Sequence, residues 1–342
     1  MKYNTLVFIG RFQPFHNGHA SIVDAALKQA HEVIVVVGSS FAARNTRNPF
    51  TFEERKAMIK AVYPQDHIKV VPVSDYPYDD NKWVAAVRST VYSAMSFTPD
   101  PTRIGLIGHE KDGTSFYLKI FPTWDSVAVP NLDGVHATTI RTMLFEDGSP
   151  GSIAALMPSR AYSTMADLII KNSDLGGAWD TLSKEYDIIK RYKQSWESAP
   201  FPPTFHTVDA VVVQSGHVLL VKRKAAPGMG LWALPGGFLN QQETLLDGTI
   251  RELREETKIK VPVPVLRGSI KAQKTFDHPH RSTRGRTITT AFFIDLGFDS
   301  KLPKVTGADD AEKARWVPFN EVDQSKLFED HFAIIDSFIN IG

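Results

Sequence analysis

The sequence predicts an α/β protein of two domains, the first built on a parallel β-sheet and the second on an α+β arrangement. The 342 residues exceed what one hydrophobic core normally serves and suit two domains of roughly 150 residues each. Near the amino terminus, an apolar strand at 5–9, a helical pattern and a strand at 32–37 form a βαβ unit, whose strands pair in parallel. Farther on, apolar runs at 208–213 and 217–223 flank a Gln-Ser-Gly turn and predict an antiparallel hairpin.

The amino-acid composition excludes several classes of protein and site. The hydrophobic fraction of 42% and the charged fraction of 23% are typical of soluble globular proteins. A formal net charge of +1 predicts neither a nucleic-acid nor a membrane partner. The absence of cysteine excludes disulfides, thiolate zinc sites and cysteine nucleophiles. The sequence begins in a predicted core strand, without a signal-peptide pattern, and no apolar run reaches the length of a membrane span, so we expect a cytoplasmic protein.

The segment 10–19, Gly-Arg-Phe-Gln-Pro-Phe-His-Asn-Gly-His, connects the first strand to the first helix. In such a turn, backbone N–H groups and the positive end of the helix face a ligand, which suits phosphate. His16 and His19 lie three residues apart and can donate hydrogen bonds to one phosphoryl group, each worth roughly 1.5–3 kcal/mol. Arg11 adds a permanent cation that can hold a triphosphate.

The rest of the first domain continues the alternation of strands and helices. Thr51 and Glu54 form a capping-box pattern that opens a helix at 52–62. Further strands are predicted at 68–73, 103–107 and 126–129, and further helices at 81–95 and 152–171. Lys111 and Asp112 follow the fourth strand, at the edge of the sheet where ligands bind in open α/β folds. Thr138 is predicted as an N-cap that places Arg141 in the first turn of a helix.

These segments resemble a known family. The segment 10–19 and the later segment 135–141, Val-His-Ala-Thr-Thr-Ile-Arg, resemble the signatures of the nucleotidyltransferase superfamily, and the first is similar to archaeal-type nicotinamide-mononucleotide adenylyltransferases. The resemblance implies a Rossmann-like domain that joins ATP to nicotinamide mononucleotide, yields NAD and uses Mg²⁺ on the triphosphate. His136 stands where the superfamily has serine.

By the same resemblance, the catalytic residues are His16, His19, Arg11 and Arg141, and Thr138 and Arg141 hold the β- and γ-phosphates of ATP. Trp83 is expected to stack on the nicotinamide ring. The other predicted substrate-binding residues are Gly10, Phe12, Gly18, Ser39, Arg47, Arg55, Asn81, Lys111 and Asp112.

A change in composition marks the join between the domains. A helical pattern with alternating charge runs from 179 to 196, and Ala-Pro-Phe-Pro-Pro at 199–203 then predicts a semi-rigid linker. We predict a first domain at 1–180, a helical and proline-rich linker at 181–203 and a second domain at 204–342.

Acidic residues in the second half follow a helical spacing. At about 100° per residue, Glu252, Glu255 and Glu256 lie on one face of a helix. Three like charges on one face repel each other, and a hard divalent cation with oxygen ligands resolves that conflict. Arg251 can pair with Glu243 or Glu255.

Together with the Gly-Gly at 236–237, this spacing resembles the Nudix box. The resemblance implies that Glu252 and Glu256 are the main ligands of Mg²⁺, with Mn²⁺ as an alternative, that Glu255 assists and that the carbonyl of Gly236 completes the set. It also implies attack of a metal-activated water on a nucleoside diphosphate, with Glu256 as a catalytic residue. Lys258 replaces the usual glycine of the box, which takes a left-handed backbone at the end of the helix, and we expect a cost of roughly 1 kcal/mol there.

Two further groups of residues are candidates for the second site. The basic loop with Arg281, Arg284 and Arg286 is, as a charge run, typical of a solvated loop, but it resembles ligand-contacting loops of ADP-ribose-cleaving Nudix proteins. Among the acidic residues at 309–312, Glu312 is the predicted general base.

The chain as a whole therefore resembles bifunctional nicotinamide-mononucleotide adenylyltransferase/Nudix hydrolases. This resemblance implies hydrolysis of ADP-ribose to AMP and ribose 5-phosphate by the second domain, and a homo-oligomer. One alternative keeps the fold and changes the acceptor to another phosphorylated compound. A second alternative makes the Nudix half a module that senses ADP-ribose or NAD, whereas a nucleic-acid-binding role is disfavoured by the low net charge.

Overall fold

The computed structural model describes residues 1–96, 100, 103–109, 120–130, 135–146 and 150–341. The chain separates into two compact units, Met1–Lys184 and Glu185–Gly342. The first unit has a parallel sheet with helices, and the second has a mixed sheet with helices, as predicted. Among the described residues, no helix combines the length and the apolar character needed to cross a membrane.

The first unit is built on a five-stranded sheet in which each strand pair is parallel. Its strands are β1 (Tyr3–Gly10), β2 (Ala30–Val37), β3 (Ile68–Pro72), β4 (Ile104–Gly108) and β5 (Asp125–Ala128), in the order β3-β2-β1-β4-β5. β1 is central, and its register with β2 places Gly10 beside Val37. The parallel sheet predicted from the βαβ pattern is confirmed.

Helices cover both faces of this sheet. They are α1 (Asn17–Leu27), α2 (Phe52–Val62), α3 (Asp80–Ala94), α4 (Ala137–Glu146) and α5 (Ser159–Lys171). Successive residues of β1 point to opposite faces, so Leu6 and Phe8 belong to one buried cluster while Val7 and Ile9 belong to another. A strand that is buried on both faces needs a continuous apolar sequence, which explains the run at 5–9.

The ends of the helices in the first unit follow local chemistry. The capping box predicted before α2 is present, because the Thr51 hydroxyl accepts from the N–H of Glu54 and the Glu54 carboxylate accepts from the N–H of Thr51. The single helix predicted at 152–171 is wrong, since a 3-10 helix at Pro150–Leu156 ends before α5 begins. Pro158 lies between the two and interrupts the pattern of helical hydrogen bonds.

The second unit contains a mixed sheet. Its main strands are β6 (Thr204–Gln214), β7 (His217–Arg223), β10 (Ile270–Phe276), β11 (Arg286–Asp295) and β12 (Ala311–Pro318), and the short strands β8 (Trp232–Ala233) and β9 (Gly236–Phe238) pair with β7 and β6. The predicted hairpin is present between β6 and β7, and Ser215 and Gly216 take positive φ at its turn. β11 lies parallel to β6.

Three helices complete the second unit: α7 (Leu245–Thr257), α8 (Val263–Gly268) and α9 (His331–Ile339). α7 begins after Thr244, whose hydroxyl accepts from the N–H of Asp247, and it packs against β6 and β9. It ends at Lys258, which takes a left-handed conformation (φ +47°). This is the conformation expected for the glycine that usually stands at this position of the Nudix box.

The predicted linker contains regular structure. Helix α6 (Ala178–Gln194) crosses the division between the units, and residues from Glu185 onward belong to the second unit. The buried carboxylate of Glu185 accepts from the N–H of Gly228 at 2.6 Å, which ties this part of the helix to the loop after β7. The segment at 181–203 is therefore partly a component of the second unit.

Lys258→Gly is expected to raise the local free energy of unfolding of α7 by about 1 kcal/mol, because glycine adopts the left-handed conformation without steric cost. Hydrogen exchange of the α7 amides in the full chain measures this change. Asn340→Gly is the matched control, since Asn340 also ends a helix in the left-handed region (φ +48°) but asparagine tolerates that region better. Equal effects of the two substitutions would contradict the explanation.

Candidate active sites

A cavity of about 480 Å³ opens at the carboxyl-terminal edge of the parallel sheet. Gly10 ends β1, Gly38 follows β2 and His109 follows β4, and all three line it, as expected for the crevice of an open α/β sheet. The lining also includes Arg11, Phe12, Gln13, His16, Gly18, His19, Asp75, Trp83, His136, Thr138 and Arg141. The turn at 10–19 and the segment at 135–141 therefore meet, although more than a hundred residues separate them.

The two histidines lie together at the amino-terminal end of α1. Their rings stack with centroids 3.6 Å apart, and the backbone N–H of His16 donates to Nδ1 of His19 at 3.3 Å. A Cβ on Gly18 would lie 3.1 Å from the His16 ring, so glycine allows that ring to pack closely over the helix end. The arrangement presents two imidazoles and the positive helix end to the same space.

Positive charge accumulates on one side of this cavity. Nη1 of Arg141 donates to the carbonyl of Gln13 at 2.7 Å, and Nη2 donates to the hydroxyl of Thr138 at 3.2 Å. Burial, together with the charges of Arg11 and Arg47, lowers the pKa of Arg141 to about 10. Arg11 and Arg141, two cations that repel each other at the cavity, would be stabilised by a polyanion such as a triphosphate.

A different set of side chains lines another part of the cavity. The Trp83 indole is half-buried and packs against the edge of Phe121 with ring centroids 5.9 Å apart. Asp75 also lines the cavity, and its carboxylate accepts from the N–H of Ser39 at 3.0 Å. Sequence reasoning missed Asp75. Its position three residues after β3, at the carboxyl end of a parallel strand, is the signal that could have found it.

Several residues predicted for the first site do not lie where the sequence analysis placed them. Arg55 is fully buried, and its guanidinium donates to backbone carbonyls beneath the cavity. Among the residues that the structure describes, Ser39, Arg47 and Asn81 do not line the cavity. α4 begins at Ala137, so Thr138 lies within the helix and the predicted N-cap is wrong. Lys111 and Asp112 lie outside the described residues.

The ring of Phe12 belongs mostly to the core. It contacts Phe8 edge-on at 5.1 Å and His19 at 4.9 Å between centroids, and only 1% of the residue is exposed. A Cβ on Gly10 would lie 2.9 Å from this ring, so the glycine provides the space in which the ring packs. Phe12 and Gly10 therefore support the turn and the His19 ring, and their backbone forms the edge of the cavity.

The second unit has a cavity of about 340 Å³ with many charged groups. The acidic residues in its lining are Asp209, Glu252, Glu256, Asp310 and Glu329, and the basic ones are Arg223, Arg251, Arg281 and Arg284. His331 also lines it. Burial lowers the pKa of His331 to about 3, and Nδ1 of this neutral ring accepts from the N–H of Leu234 at 2.9 Å.

The predicted carboxylate face of α7 is present in part. Glu252 and Glu256 line the cavity, whereas the side chain of Glu255 is 43% exposed and lies outside the lining formed by the described residues. The Glu256 carboxylate accepts from the N–H of Gly236 at 3.0 Å. Burial, together with the negative charge of Glu252, raises the pKa of Glu256 to about 8.

Arg251 organises the surrounding carboxylates. Its guanidinium donates to Glu243 at 2.6 and 2.9 Å, to Glu252 at 2.9 Å and to Glu255 at 2.9 Å. The predicted pairing with Glu243 or Glu255 thus involves both residues. This fork orients the Glu252 side chain from the edge of the cavity.

The donor set fits a divalent metal ion. Glu252 and Glu256 offer carboxylate oxygens whose mutual repulsion a hard cation would relieve. A Cβ on Gly237 would lie 2.4 Å from Oε1 of Glu252, so only glycine lets the backbone approach this carboxylate. Among the described residues, no group of three acidic or histidine side chains already surrounds one point. A metal ion would therefore be held mainly by Glu252 and Glu256, and the Gly236 carbonyl and Glu255 stay predicted ligands.

The three arginines of the predicted basic loop make different contacts. Arg281 is buried and forms a two-fold hydrogen-bonded ion pair with Asp330, both at 2.9 Å. Arg284 lies over the Phe238 ring at 5.0 Å, and its buried Nε has no hydrogen-bond partner among the described residues. Arg286 donates to the Asp277 carbonyl and, within the described chain, lies outside the cavity lining, so its predicted ligand contact is not supported.

The residue predicted as general base lies away from the cavity lined by the described residues. Glu312 lies on β12 with its carboxylate 3.1 Å from Nζ of Lys222, its side chain is 45% exposed, and it is not among the described residues that line the cavity. Asp310 and Glu329 line the cavity instead. Asp310 precedes β12, and the register of β12 with β7 is irregular between Ala311 and Lys313, so the spacing in the sequence does not predict which of these carboxylates faces the cavity. Glu329 was missed, since nothing in the sequence before α9 distinguishes it.

Each half of the chain matches a known family model. A cytidylyltransferase-like family model matches residues 7–95, and a NUDIX domain model matches residues 204–338. A nicotinamide/nicotinic acid mononucleotide adenylyltransferase of Acinetobacter baylyi is 42% identical over 149 residues, which are 42% of this chain and 77% of that protein. An ADP-ribose pyrophosphatase of Methanocaldococcus jannaschii is 34% identical over 133 residues, which are 39% of this chain and 71% of that protein.

One solved structure is similar over nearly the whole chain. It is the crystal structure of a bifunctional NMN adenylyltransferase/ADP ribose pyrophosphatase from Francisella tularensis, complexed with AMP and a manganese ion. Its identity is 35% and its TM-score is 0.89, and the alignment covers 99% of this chain and 100% of that chain.

Arg141→Met is expected to weaken the binding of inorganic tripolyphosphate to the first cavity by roughly 10- to 100-fold, because it removes charge-assisted hydrogen bonds. Titration calorimetry on the full chain measures the change. Arg160→Met is the matched control, since Arg160 is an exposed arginine on α5 of the same unit. Unchanged affinity in Arg141→Met would rule out a polyphosphate site there.

Proposed function

Because the chain belongs to the family of bifunctional nicotinamide-mononucleotide adenylyltransferase/ADP-ribose pyrophosphatases, we propose that each of its two units carries one of these activities. The first unit transfers AMP from ATP to nicotinamide mononucleotide and releases pyrophosphate. The second unit hydrolyses ADP-ribose to AMP and ribose 5-phosphate. The observation that carries the proposal is the charge of the two cavities: arginines and histidines line the first, and paired glutamates with arginines line the second.

Adenylyl transfer needs no protein nucleophile. It requires that the reactants are held in position and that the negative charge of the phosphates is neutralised. The 5′-phosphate of the mononucleotide attacks the α-phosphorus of ATP in line, the bond to the bridging oxygen breaks and pyrophosphate leaves. We assign Arg11 and Arg141 to the triphosphate, because they form the basic side of the cavity. His16 and His19 donate hydrogen bonds to the phosphoryl oxygens that gain charge, and Trp83 stacks on the nicotinamide ring.

Hydrolysis of ADP-ribose requires a site for a diphosphate and an acidic site beside it. Arg284 supports the diphosphate site, because it lines the cavity and its guanidinium is stacked on Phe238. Arg281 holds its loop in place through Asp330. Glu252 and Glu256 would hold a divalent metal ion, and such an ion would supply an activated water molecule and neutralise charge on the diphosphate. We propose Mg²⁺ as the ion, with Mn²⁺ as an alternative.

A binding-only role for the second unit is less favoured. Lys258, the residue that motivates it, takes the same left-handed conformation as the glycine that it replaces, and α7 keeps Glu252 and Glu256 at the cavity. The assembly into a homo-oligomer and the cytoplasmic location expected from the sequence stay predictions.

The full chain with ATP, nicotinamide mononucleotide and Mg²⁺ is expected to produce NAD and pyrophosphate. His19→Ala should lower kcat by roughly 10- to 100-fold, because it removes a hydrogen bond to a charged phosphoryl group. Chromatographic quantification of NAD measures both results. His67→Ala, which removes an exposed histidine of the same unit, is the control. NAD synthesis at the unmodified rate in His19→Ala would contradict its assigned role.

ADP-ribose with Mg²⁺ is expected to yield AMP and ribose 5-phosphate, and Glu256→Gln should lower this rate by about 10²- to 10³-fold, because it removes a ligand of the metal ion. Glu312→Gln should change the rate less than about three-fold, since it removes only an exposed ion pair with Lys222. Product analysis by chromatography distinguishes the two variants. Binding of ADP-ribose without turnover by the unmodified chain would instead favour a sensor.

A further inference from the structure

Arg55 makes an unusual set of contacts in the first unit. It is fully buried, and its guanidinium donates four hydrogen bonds to backbone carbonyls in separate segments. Nη1 donates to Arg11 and to Gly38, both at 2.7 Å, and Nη2 and Nε donate to Ser39 and Thr51 at 3.1 Å. One side chain thus connects the turn after β1, the turn after β2 and the start of α2.

The backbone that Arg55 holds is strained. Among the described residues of the first unit, Phe12 (φ +52°) and Ser39 (φ +50°) are the non-glycine residues with positive φ. The Arg11 carbonyl belongs to the peptide that enters Phe12, and the Gly38 carbonyl belongs to the peptide that enters Ser39. Such conformations persist only where the surroundings hold them, and they concentrate at functional sites.

The Asp75 carboxylate also holds the turn after β2. Asp75 accepts from the N–H of Ser39 at 3.0 Å, so the peptide between Gly38 and Ser39 is held at its carbonyl by Arg55 and at its N–H by Asp75. The N–H of Gly38 also donates to the Gly10 carbonyl at 2.9 Å, which connects the two turns directly. The buried guanidinium therefore lies at the centre of one hydrogen-bonded network beneath the cavity.

We infer that Arg55 is a positioning residue for adenylyl transfer, which holds the two strained turns so that the Arg11 side chain and the histidines beyond it face the phosphates of ATP. This inference rests on the function proposed for the first unit. Arg55 touches no substrate, because it lies beneath the turns and is fully buried. Its planar fork of five N–H groups matches several carbonyls at once, which a lysine ammonium cannot reproduce.

The test compares Arg55→Lys with the unmodified chain. We expect kcat for NAD synthesis to fall about 100-fold, because a small displacement of groups that orient the reaction costs this much, while KM for ATP changes less than about three-fold. Hydrolysis of ADP-ribose by the second unit should be unchanged, which provides an internal control for protein concentration and integrity. Arg44→Lys is the matched control, because Arg44 pairs with Glu54 nearby and contacts neither strained turn.

Hydrogen exchange provides a readout that does not depend on activity. In Arg55→Lys, we expect faster exchange of the backbone amides at 11–13 and 38–40, with the amides of β1 and β2 protected as before. Arg55→Gln, which keeps fewer donors and no charge, should show the same pattern more strongly. This localised change is what distinguishes a positioning residue from a residue that supports the whole fold.

Two results would overturn the inference. One is a kcat within about three-fold of the unmodified value, and the other is a loss of protection throughout the sheet in both variants. If the unmodified chain makes no NAD, the proposed function fails instead, and the exchange measurement still decides whether Arg55 holds the two turns.

Discussion

Arg11 and Arg141 meet at one cavity, and Glu252 and Glu256 meet at the other, so in each unit like charges raise the free energy of the folded chain. Both units hold these charges with backbone groups. The Gln13 carbonyl accepts from Arg141, and the Gly236 N–H donates to Glu256. Such bonds orient Arg141 and Glu256 without neutralising them. An oppositely charged ligand, a triphosphate in one unit and a metal ion in the other, therefore relieves this repulsion when it binds.

The loops around the cavities depend on backbone conformations and close approaches that most sequences avoid. Gly237 lets the chain pass next to the Glu252 carboxylate, and Gly18 leaves room for the His16 ring. Phe12 and Ser39 instead take a left-handed conformation with a side chain present, and their adjoining peptides are held by Arg55. Surroundings that hold a strained backbone also keep it rigid, which suits sites whose chemistry requires fixed distances.

Local patterns predicted much of this protein. The apolar run of β1 and the spacing of Glu252, Glu255 and Glu256 led to the parallel sheet and to α7, because buried strands and helices impose periods on neighbouring residues. Predictions for single residues in loops and on strand faces were less successful. Glu312 lies beside Lys222 and Arg286 beside Asp277, away from the cavity to which they were assigned. Which face of a strand a polar residue occupies depends on register, and register is a property of the paired strands.

The sequence by itself determined the two domains, the turn with His16 and His19, and the acidic helix, because each of these depends on residues that are close in the chain. Only the tertiary structure decided that Arg55 lies beneath the first site and that Asp75, Glu329 and His331 line the cavities. These positions arise where segments distant in sequence pack together. The role of a side chain there depends on contacts with residues that are distant in the sequence. Its sequence neighbours do not reveal these contacts, since burial and hydrogen bonding are set by the assembled fold.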